Sequence, residues 1–239
     1  EAANFTGTLQ NGGSNVVVDS DIGTTVLAPN GDGSSLTGIS SLPSQSGNQD
    51  KFLTTDGSSA SWYPVAPAGL IHLSTVIASN SSTVDIETTF NNTYNEYILF
   101  ITLLTGSNAG RQFELQTKQG GAYKTSSDYN SSLVQGVNAS SSQSTSGGTN
   151  LGSIPIIQNV SNVARKQTNL QINISNPSVA GLKIVRWSGG LAHHDGHTGH
   201  FQGAGGFDGG STLTLTGLRF FFDSGNIATG RFRLYGVKQ

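Results

Sequence analysis

The chain contains no cysteine and no methionine, and only 11% of its 239 residues are charged. Without cysteine it has no disulfides, no thiolate zinc ligands and no cysteine nucleophile. Ordinary intrinsic disorder combines low hydrophobicity with high net charge, so the low charge argues against it. No apolar run reaches the roughly 18 residues of a transmembrane helix, and we therefore expect no membrane insertion. Because the first residue is not methionine, we expect a processed product or one segment of a longer protein.

Charge and motifs exclude further functional classes. The net charge of −2 provides no basic field for a nucleic acid, and the basic residues are scattered along the chain. No phosphate-binding loop, Walker pattern or G-x-S-x-G nucleophile elbow occurs. We therefore expect a protein that is not an enzyme, has no cofactor and does not bind nucleic acid.

Small and polar residues are abundant instead. Glycine, serine, threonine and asparagine together supply 107 of the 239 residues. Strong helix formers are scarce, whereas turn formers and β-branched residues are common. This composition predicts an all-β protein with many turns.

The chain divides into two parts near residue 68. Residues 1–68 hold four of the 19 aromatic residues and have a net charge of −5, whereas residues 69–239 hold fifteen and have a net charge of +3. The Pro-rich segment at 63–69 forms a natural boundary, because proline favours extended backbone. Only the second part has enough large apolar residues for a core of its own.

Residues 1–68 show short β-branched segments separated by turns. Val16–Val18 and Thr24–Leu27 are such segments, and the turn sequences around them are rich in glycine and asparagine. A single chain of this kind buries too little surface to offset its backbone entropy. Two interpretations follow: a flexible linker, or an extended shaft in which identical chains intertwine and share a core.

Residues 69–239 contain strand patterns at the spacing of a β-sandwich. The apolar run Glu96–Leu104 predicts a strand buried on both faces. Leu170, Ile172 and Ile174 alternate with polar residues and predict a half-buried strand. The other predicted strands lie at 70–78, 83–87, 112–118, 154–157, 182–187, 213–222 and 231–235. We expect nine to ten strands in a jelly-roll-like sandwich without helices, and an exposed loop at 138–150.

Three segments resemble sequences of one family, the tail-fibre proteins of bacteriophages. Residues 26–39 (VLAPNGDGSSLTGI) resemble the repeat-like shaft of these fibres. Residues 47–62 (GNQDKFLTTDGSSASW) are similar to a fibre segment that has glycine where Asp50 stands here. Residues 218–236 (LRFFFDSGNIATGRFRLYG) resemble the closing hairpin of fibres from marine and cyanobacterial phages.

This resemblance implies a homotrimer with an intertwined β shaft at 1–68 and a β-sandwich head at 69–239. The fibre would be part of the virion, contact other tail or virion proteins, and attach to a bacterial surface glycan or protein receptor, with a polysaccharide preferred. One alternative is a purely structural virion component, such as a capsid decoration or baseplate-associated fibre. A less favoured one is a tailspike that degrades polysaccharide.

The most conspicuous candidate site is a histidine cluster. It consists of His193, His194, Asp195, His197 and His200. Extended backbone would place His194, His197 and His200 along one edge, where three chains meeting at a threefold axis could bind a transition metal. A sugar- or receptor-contacting loop and a plain exposed loop are the other interpretations. The Gly-rich run 203–210 favours a loop in each case.

Aromatic residues provide further candidates for receptor binding. Trp187 directly precedes the histidine cluster and is either a core residue or an aromatic face for a sugar. Tyr123 and Tyr129 lie in the loop-like segment 120–130 and are alternative ligand platforms.

Two acidic pairs invite chemical interpretations that the sequence does not favour. Asp19 and Asp21 weakly resemble a calcium loop, yet the other acidic ligands are missing. Asp85 and Glu87 share a strand face, and a glycosidase pair would need a cleft between them. We interpret the first pair as solvated turn carboxylates and the second as part of an exposed sheet face.

Overall fold

A computed structural model describes residues 10–11, 14–15, 43–64, 69–87, 90, 93–138, 143–175, 177–179, 181–207 and 214–238. The chain forms two compact units, residues 1–66 and residues 67–239. Every regular element in the described ranges is a β-strand, as the composition predicted. None of the described residues belongs to a helix with the length and apolarity that a membrane crossing requires.

Within its described residues, the first unit contains four short strands: β1 (Gln10–Asn11), β2 (Ser14–Asn15), β3 (Lys51–Thr55) and β4 (Ala60–Pro64). The second unit contains thirteen within its described residues: β5 (Gly69–Ser81), β6 (Val84–Ile86), β7 (Glu96–Gly106), β8 (Arg111–Gln119), β9 (Ala122–Tyr123), β10 (Tyr129–Val137), β11 (Gln143–Leu151), β12 (Ile154–Val160), β13 (Thr168–Ser175), β14 (Lys183–Ala192), β15 (Thr198–Phe207), β16 (Leu215–Phe222) and β17 (Ile227–Lys238).

In the first unit, β3 and β4 form a hairpin whose turn is held by Asp56. The carboxylate of Asp56 accepts hydrogen bonds from the backbone N–H groups of Ser58 and Ser59 at 2.8 and 2.7 Å. Gly57 in this turn has φ = 92°, which favours glycine. The turn chemistry of the D-G-S-S sequence therefore sets the register of β3 on β4. The predicted segments Val16–Val18 and Thr24–Leu27 lie outside the described residues, as do Asp19 and Asp21.

The second unit is built on an eight-stranded antiparallel sheet with the order β11-β10-β15-β14-β13-β7-β17-β5. A second antiparallel sheet has the order β12-β8-β16-β6, with β9 paired to β8. Aromatic side chains from both sheets meet between them. Phe232 of the large sheet lies 5.5 Å from Phe220 and 6.4 Å from Phe113 of the small sheet, measured between ring centroids. The second unit is therefore a β-sandwich.

Strand alternation explains which side chains fill this sandwich. Leu170, Ile172 and Ile174 of β13 are all buried, which confirms the alternation read from the sequence. In β7 the prediction of burial on both faces is wrong. Tyr97, Leu99 and Ile101 are fully buried, whereas the residues between them are only half-buried. Those residues belong to the other side of the large sheet, which is not covered by a sheet formed from the described residues.

Two segments predicted as loops are strands. Residues 143–151, inside and just beyond the predicted loop 138–150, form the edge strand β11 on β10. Residues 203–207 of the Gly-rich run belong to β15. There the missing side chains make room: a Cβ atom at Gly203 would lie 2.4 Å from Trp187 Cζ2 and 2.6 Å from the carbonyl oxygen of Ser132. Glycine is thus required by close packing within a strand.

The expectation that residues 218–236 form a hairpin is wrong. β16 pairs with β8 and β6, while β17 pairs with β5 and β7, so the two strands belong to different sheets. The turn between them is fixed to Ser107, whose N–H donates to Asn226 O and whose Oγ accepts from Asn226 N–H, both at 2.8 Å. The segment therefore crosses from one sheet to the other. Its inward aromatic residues face each other across the sandwich.

Candidate ligand-binding face

The side of the eight-stranded sheet turned away from the core is called the outer face below. In β14, Val185 and Trp187 are buried against the core, so Arg186 and Ser188 point to the outer face and are exposed. In β15 the same alternation leaves His200, Gln202 and Ala204 on the outer face, with Phe201 buried.

Register brings polar side chains of four neighbouring strands side by side. One cross-strand row joins Val134, Gln202, Ser188 and Gln171, and the next joins Ser132, Ala204, Arg186 and Asn173. Directly opposed side chains in an antiparallel sheet have Cβ atoms about 4.5–5.5 Å apart. Apart from Val134 and Ala204, the members of the two rows are polar, and together the rows form a largely polar patch.

A groove of about 620 Å³ opens over this patch. Its polar lining comes from Arg186, Gln202, Ser188, Ser132, Asn173, Ser175 and Glu96. The groove thus combines a guanidinium, a carboxylate, two carboxamides and three hydroxyls. Such groups donate and accept hydrogen bonds in several directions at once.

Some polar side chains of the groove form hydrogen bonds with other side chains of the protein, and others do not. The carboxamide of Asn173 accepts a hydrogen bond from Gln171 Nε2 at 2.9 Å, which orients it. Within the described part of the chain, no hydrogen bond engages the side chains of Arg186, Ser188 or Gln202. These three side chains are exposed, and their hydrogen-bonding capacity is directed to solvent or to a ligand.

An apolar groove of about 440 Å³ adjoins the polar one and shares Ser132 and Ala204 with it. Leu182 and Ile184 line it and are 51% and 49% exposed. Its remaining surface includes the backbone of Gly205 and Gly206. A ligand in the polar groove would therefore meet an apolar surface at one side.

An aromatic row continues the outer face towards the other edge of the sheet. The ring of Tyr235 on β17 lies 5.7 Å from Phe100 on β7 and 5.4 Å from His72 on β5. Tyr235 is opposed to Ile98, which belongs to the same cross-strand row as Arg186 and Asn173. Hydrogen-bonding and aromatic side chains thus share one face.

Two of the aromatic candidates are core residues. Trp187 is only 3% exposed, so its ring offers no face to a ligand. Tyr129 is fully buried, and its hydroxyl accepts a hydrogen bond from Thr117 N–H at 2.8 Å while donating to Lys124 O at 3.0 Å. The interpretation of either residue as a platform for a sugar is wrong. Both rings are buried in the core, where large aromatic side chains contribute most to packing.

Tyr123 lies on the outside of the smaller sheet, within a cluster of charges. The guanidinium of Arg219 covers its ring at 3.8 Å, and its hydroxyl donates to Glu87 Oε1 at 3.0 Å. Arg219 also binds both carboxylate oxygens of Asp85, at 2.8 and 2.7 Å. The ring and the hydroxyl of Tyr123 are therefore already engaged in contacts with Arg219 and Glu87.

The carboxylates of this cluster are held in ion pairs. Lys118 Nζ lies 2.7 Å from Glu87 Oε1, and hydrogen bonds from Lys118 and Tyr123 lower the pKa of Glu87. The hydrogen bonds to Asp85 raise the pKa of Arg219. Glu87 is thus stabilised in the ionised form, and Asp85 is paired with Arg219, as expected for a polar sheet face. A glycosidase acid would need a raised pKa.

The histidine cluster forms the connection between β14 and β15. His193 N–H donates to His197 O at 2.9 Å, and Gly196 N–H donates to His193 O at 3.0 Å. The structure brings His193, His194 and Asp195 together, whereas His200 lies further along on β15 and points to the outer face. His193 is 9% exposed, and this burial lowers its pKa, with a further contribution from His194.

The most informative groove residues were not among the candidates read from the sequence. The strand at 182–187 was predicted, and alternation with Val185 and Trp187 already assigns Arg186 to the opposite face. What the sequence did not provide was the pairing of β14 with β15 and β10. These pairings bring Gln202 and Ser132 to Arg186 from segments that were not predicted as strands.

No protein-family model, curated protein or solved structure matches this chain.

Proposed function

We propose that the chain is a bacteriophage fibre protein that attaches the virion to a bacterial surface polysaccharide through the outer face of its head. In this proposal the head is a jelly-roll-like sandwich at 69–239, and residues 1–68 form the shaft of a homotrimer. The protein acts by binding, without catalysis or a cofactor. Its other contacts are with phage tail or virion proteins.

The polar groove over Arg186 and Gln202 is the observation that carries this proposal. A polysaccharide presents many hydroxyl groups and little charge, and it is recognised by side chains that both donate and accept hydrogen bonds. The groove supplies such side chains without competing partners for Arg186, Ser188 and Gln202 in the described residues. The neighbouring apolar groove and the aromatic row suit the C–H surfaces of sugar rings.

Exposed apolar residues of the first unit support association of identical chains. In a single chain, Phe52 and Tyr63 are 50% and 56% exposed, with their rings 6.5 Å apart, and Leu53 is 41% exposed. Two further copies would cover these side chains and gain their burial energy. Three heads on one shaft would also convert weak individual sites into avid attachment.

A purely structural virion component is the second candidate, and one feature favours it. β11 is an edge strand whose residues are mostly exposed, and it lies beside the exposed Leu182 and Ile184. An open edge next to an apolar surface is typical of packing against another protein. A polysaccharide-degrading tailspike is less favoured, since Asp85 and Glu87 are engaged in ion pairs with Arg219 and Lys118.

The purified 239-residue chain tests the proposal directly. We expect it to sediment at three times the 24.8 kDa chain mass, to bind bacterial cells of the phage host, and to block phage adsorption. Cells stripped of surface polysaccharide should lose this binding. A folded trimer that neither binds cells nor competes with the phage would contradict attachment and favour the structural candidate.

A further inference from the structure

The β14–β15 connection contains a preorganised group of metal-ligating atoms. Asp195 lies between two imidazoles, with its Oδ1 2.7 Å from His194 Nδ1 and its Oδ2 3.6 Å from His193 Nδ1. The two imidazole centroids are 4.4 Å apart, and the three ligand atoms all lie within 4.8 Å of one another. We propose that His193, His194 and Asp195 of a single chain form a binding site for a divalent transition-metal ion such as zinc.

The spacing of the ligand atoms fits such an ion. Zinc binds imidazole nitrogen and carboxylate oxygen at about 2.0–2.2 Å in tetrahedral geometry, which places neighbouring ligand atoms roughly 3.3 Å apart. The separations of the two imidazole nitrogens from the Asp195 carboxylate, 2.7 Å to Oδ1 and 3.6 Å to Oδ2, lie on either side of this value. Because all three ligand atoms already lie within 4.8 Å of one another, local adjustment of the side chains would bring the group around an ion.

The backbone holds the group in place without using all its ligand atoms. The turn is closed by the hydrogen bonds between His193, Gly196 and His197, and His194 N–H is bound to Asn159 O at 3.1 Å. Gly110 leaves space for the second imidazole, since a Cβ atom there would lie 2.6 Å from His194 Cδ2. Folding of the chain has thus already restricted His193 and His194, and metal binding would cost little further conformational entropy.

Metal binding requires two local exchanges. The Nδ1 atom of His193 accepts a hydrogen bond from Asp195 N–H at 3.2 Å, and the metal bond would replace this contact. The ion would also replace the proton that His194 Nδ1 shares with Asp195, and the imidazole would stay neutral by carrying its proton on Nε2. Asp195 has 61% of its side chain exposed, which leaves solvent access for a further ligand.

This site differs from the one expected from spacing alone. That expectation placed one histidine from each of three chains, drawn from His194, His197 and His200, at a threefold axis. Here the imidazoles are adjacent in the sequence, and the ligand set is complete within one chain. His200 lies outside it on β15 and is therefore a matched control.

Zinc titration of the tag-free 239-residue chain, stripped of metal beforehand, tests the site. We expect calorimetry to show one zinc ion per chain, and we expect zinc to raise the thermal unfolding midpoint. His194→Ala and Asp195→Asn should each weaken zinc binding at least about tenfold, whereas His200→Ala should leave it unchanged. The unfolding midpoints of all variants without zinc show whether the turn still folds.

Several outcomes would overturn the site. They are the absence of stoichiometric zinc uptake by the unmodified chain, equal binding by the Asp195→Asn variant, or an equal loss in His200→Ala. The first of these outcomes is measured on the unmodified chain. The proposal can therefore be refuted even if one of the variants does not fold. Attachment to cells is measured separately and does not depend on this outcome.

Discussion

Phe232→Ala should lower the free energy of unfolding by about 3–5 kcal/mol, the range for removal of a large aromatic side chain from a core. The ring of Phe232 is fully buried and contacts Phe220 and Phe113 of the opposite sheet. Truncation leaves a cavity in the contact between the two sheets, where surrounding strands cannot collapse freely. Denaturant unfolding at one fixed protein concentration measures the change.

Arg231→Ala is the control for this experiment. Arg231 precedes Phe232 on the same strand, is exposed on the outer face, and should change stability by no more than about 0.5 kcal/mol. A loss below about 1 kcal/mol for Phe232→Ala would show that the two sheets do not depend on this contact.

The second large effect concerns ligand binding. Replacing Arg186 and Gln202 together by alanine should weaken binding to the host polysaccharide about 10- to 100-fold, while stability stays nearly unchanged. Hydrogen bonds that involve a charged group contribute about 1.5–3 kcal/mol, and each 1.4 kcal/mol is a factor of ten in affinity. Both side chains are exposed, so their removal leaves no buried cavity.

Arg231→Ala serves as a matched control here too, because it removes the same charge from the same face. It lies on β17, three strands from β14, which corresponds to about 14 Å at the usual strand spacing. If both substitutions weaken binding equally, the attraction is a general charge effect and the groove is not the site. Titrations at two salt concentrations separate the two cases, since exposed charge effects are screened.

The second unit was predictable where local alternation decides burial. Leu170, Ile172 and Ile174 follow the period of two, and their burial needs no knowledge of their partners. The all-β class followed from composition in the same way. These features depend only on which residue types suit a pleated, half-buried backbone.

Features that depend on distant pairing were not predictable. A crossing between sheets and a hairpin show the same alternating aromatic pattern, and only pairing with β5, β6, β7 and β8 distinguishes them at 218–236. The sequence of β15 was interpreted as a loop because several of its residues are glycines, which have no side chain and show no apolar alternation. That absence is explained by Trp187, which packs over Gly203 from the neighbouring strand.

In the candidate site, too, some features follow from the local sequence and others depend on distant strand pairing. Arg186 could be assigned to an exposed sheet face from its own strand, whereas Gln202 and Ser132 reach it only through the pairing of β10, β14 and β15. The histidine cluster was recognised from sequence, but its geometry was not. Extended spacing was expected, and the chain instead makes a turn that places Asp195 between His193 and His194.

The most direct test of the central claim is a crystal structure of the protein soaked with an oligosaccharide from the surface polysaccharide of a bacterial strain to which it binds. We predict density for sugar in the groove, with hydrogen bonds to Arg186 and Gln202, and with apolar contact towards Ile184. Sugar bound at the outside of the smaller sheet, near Tyr123, or at the turn containing His194 would contradict this assignment of the outer face.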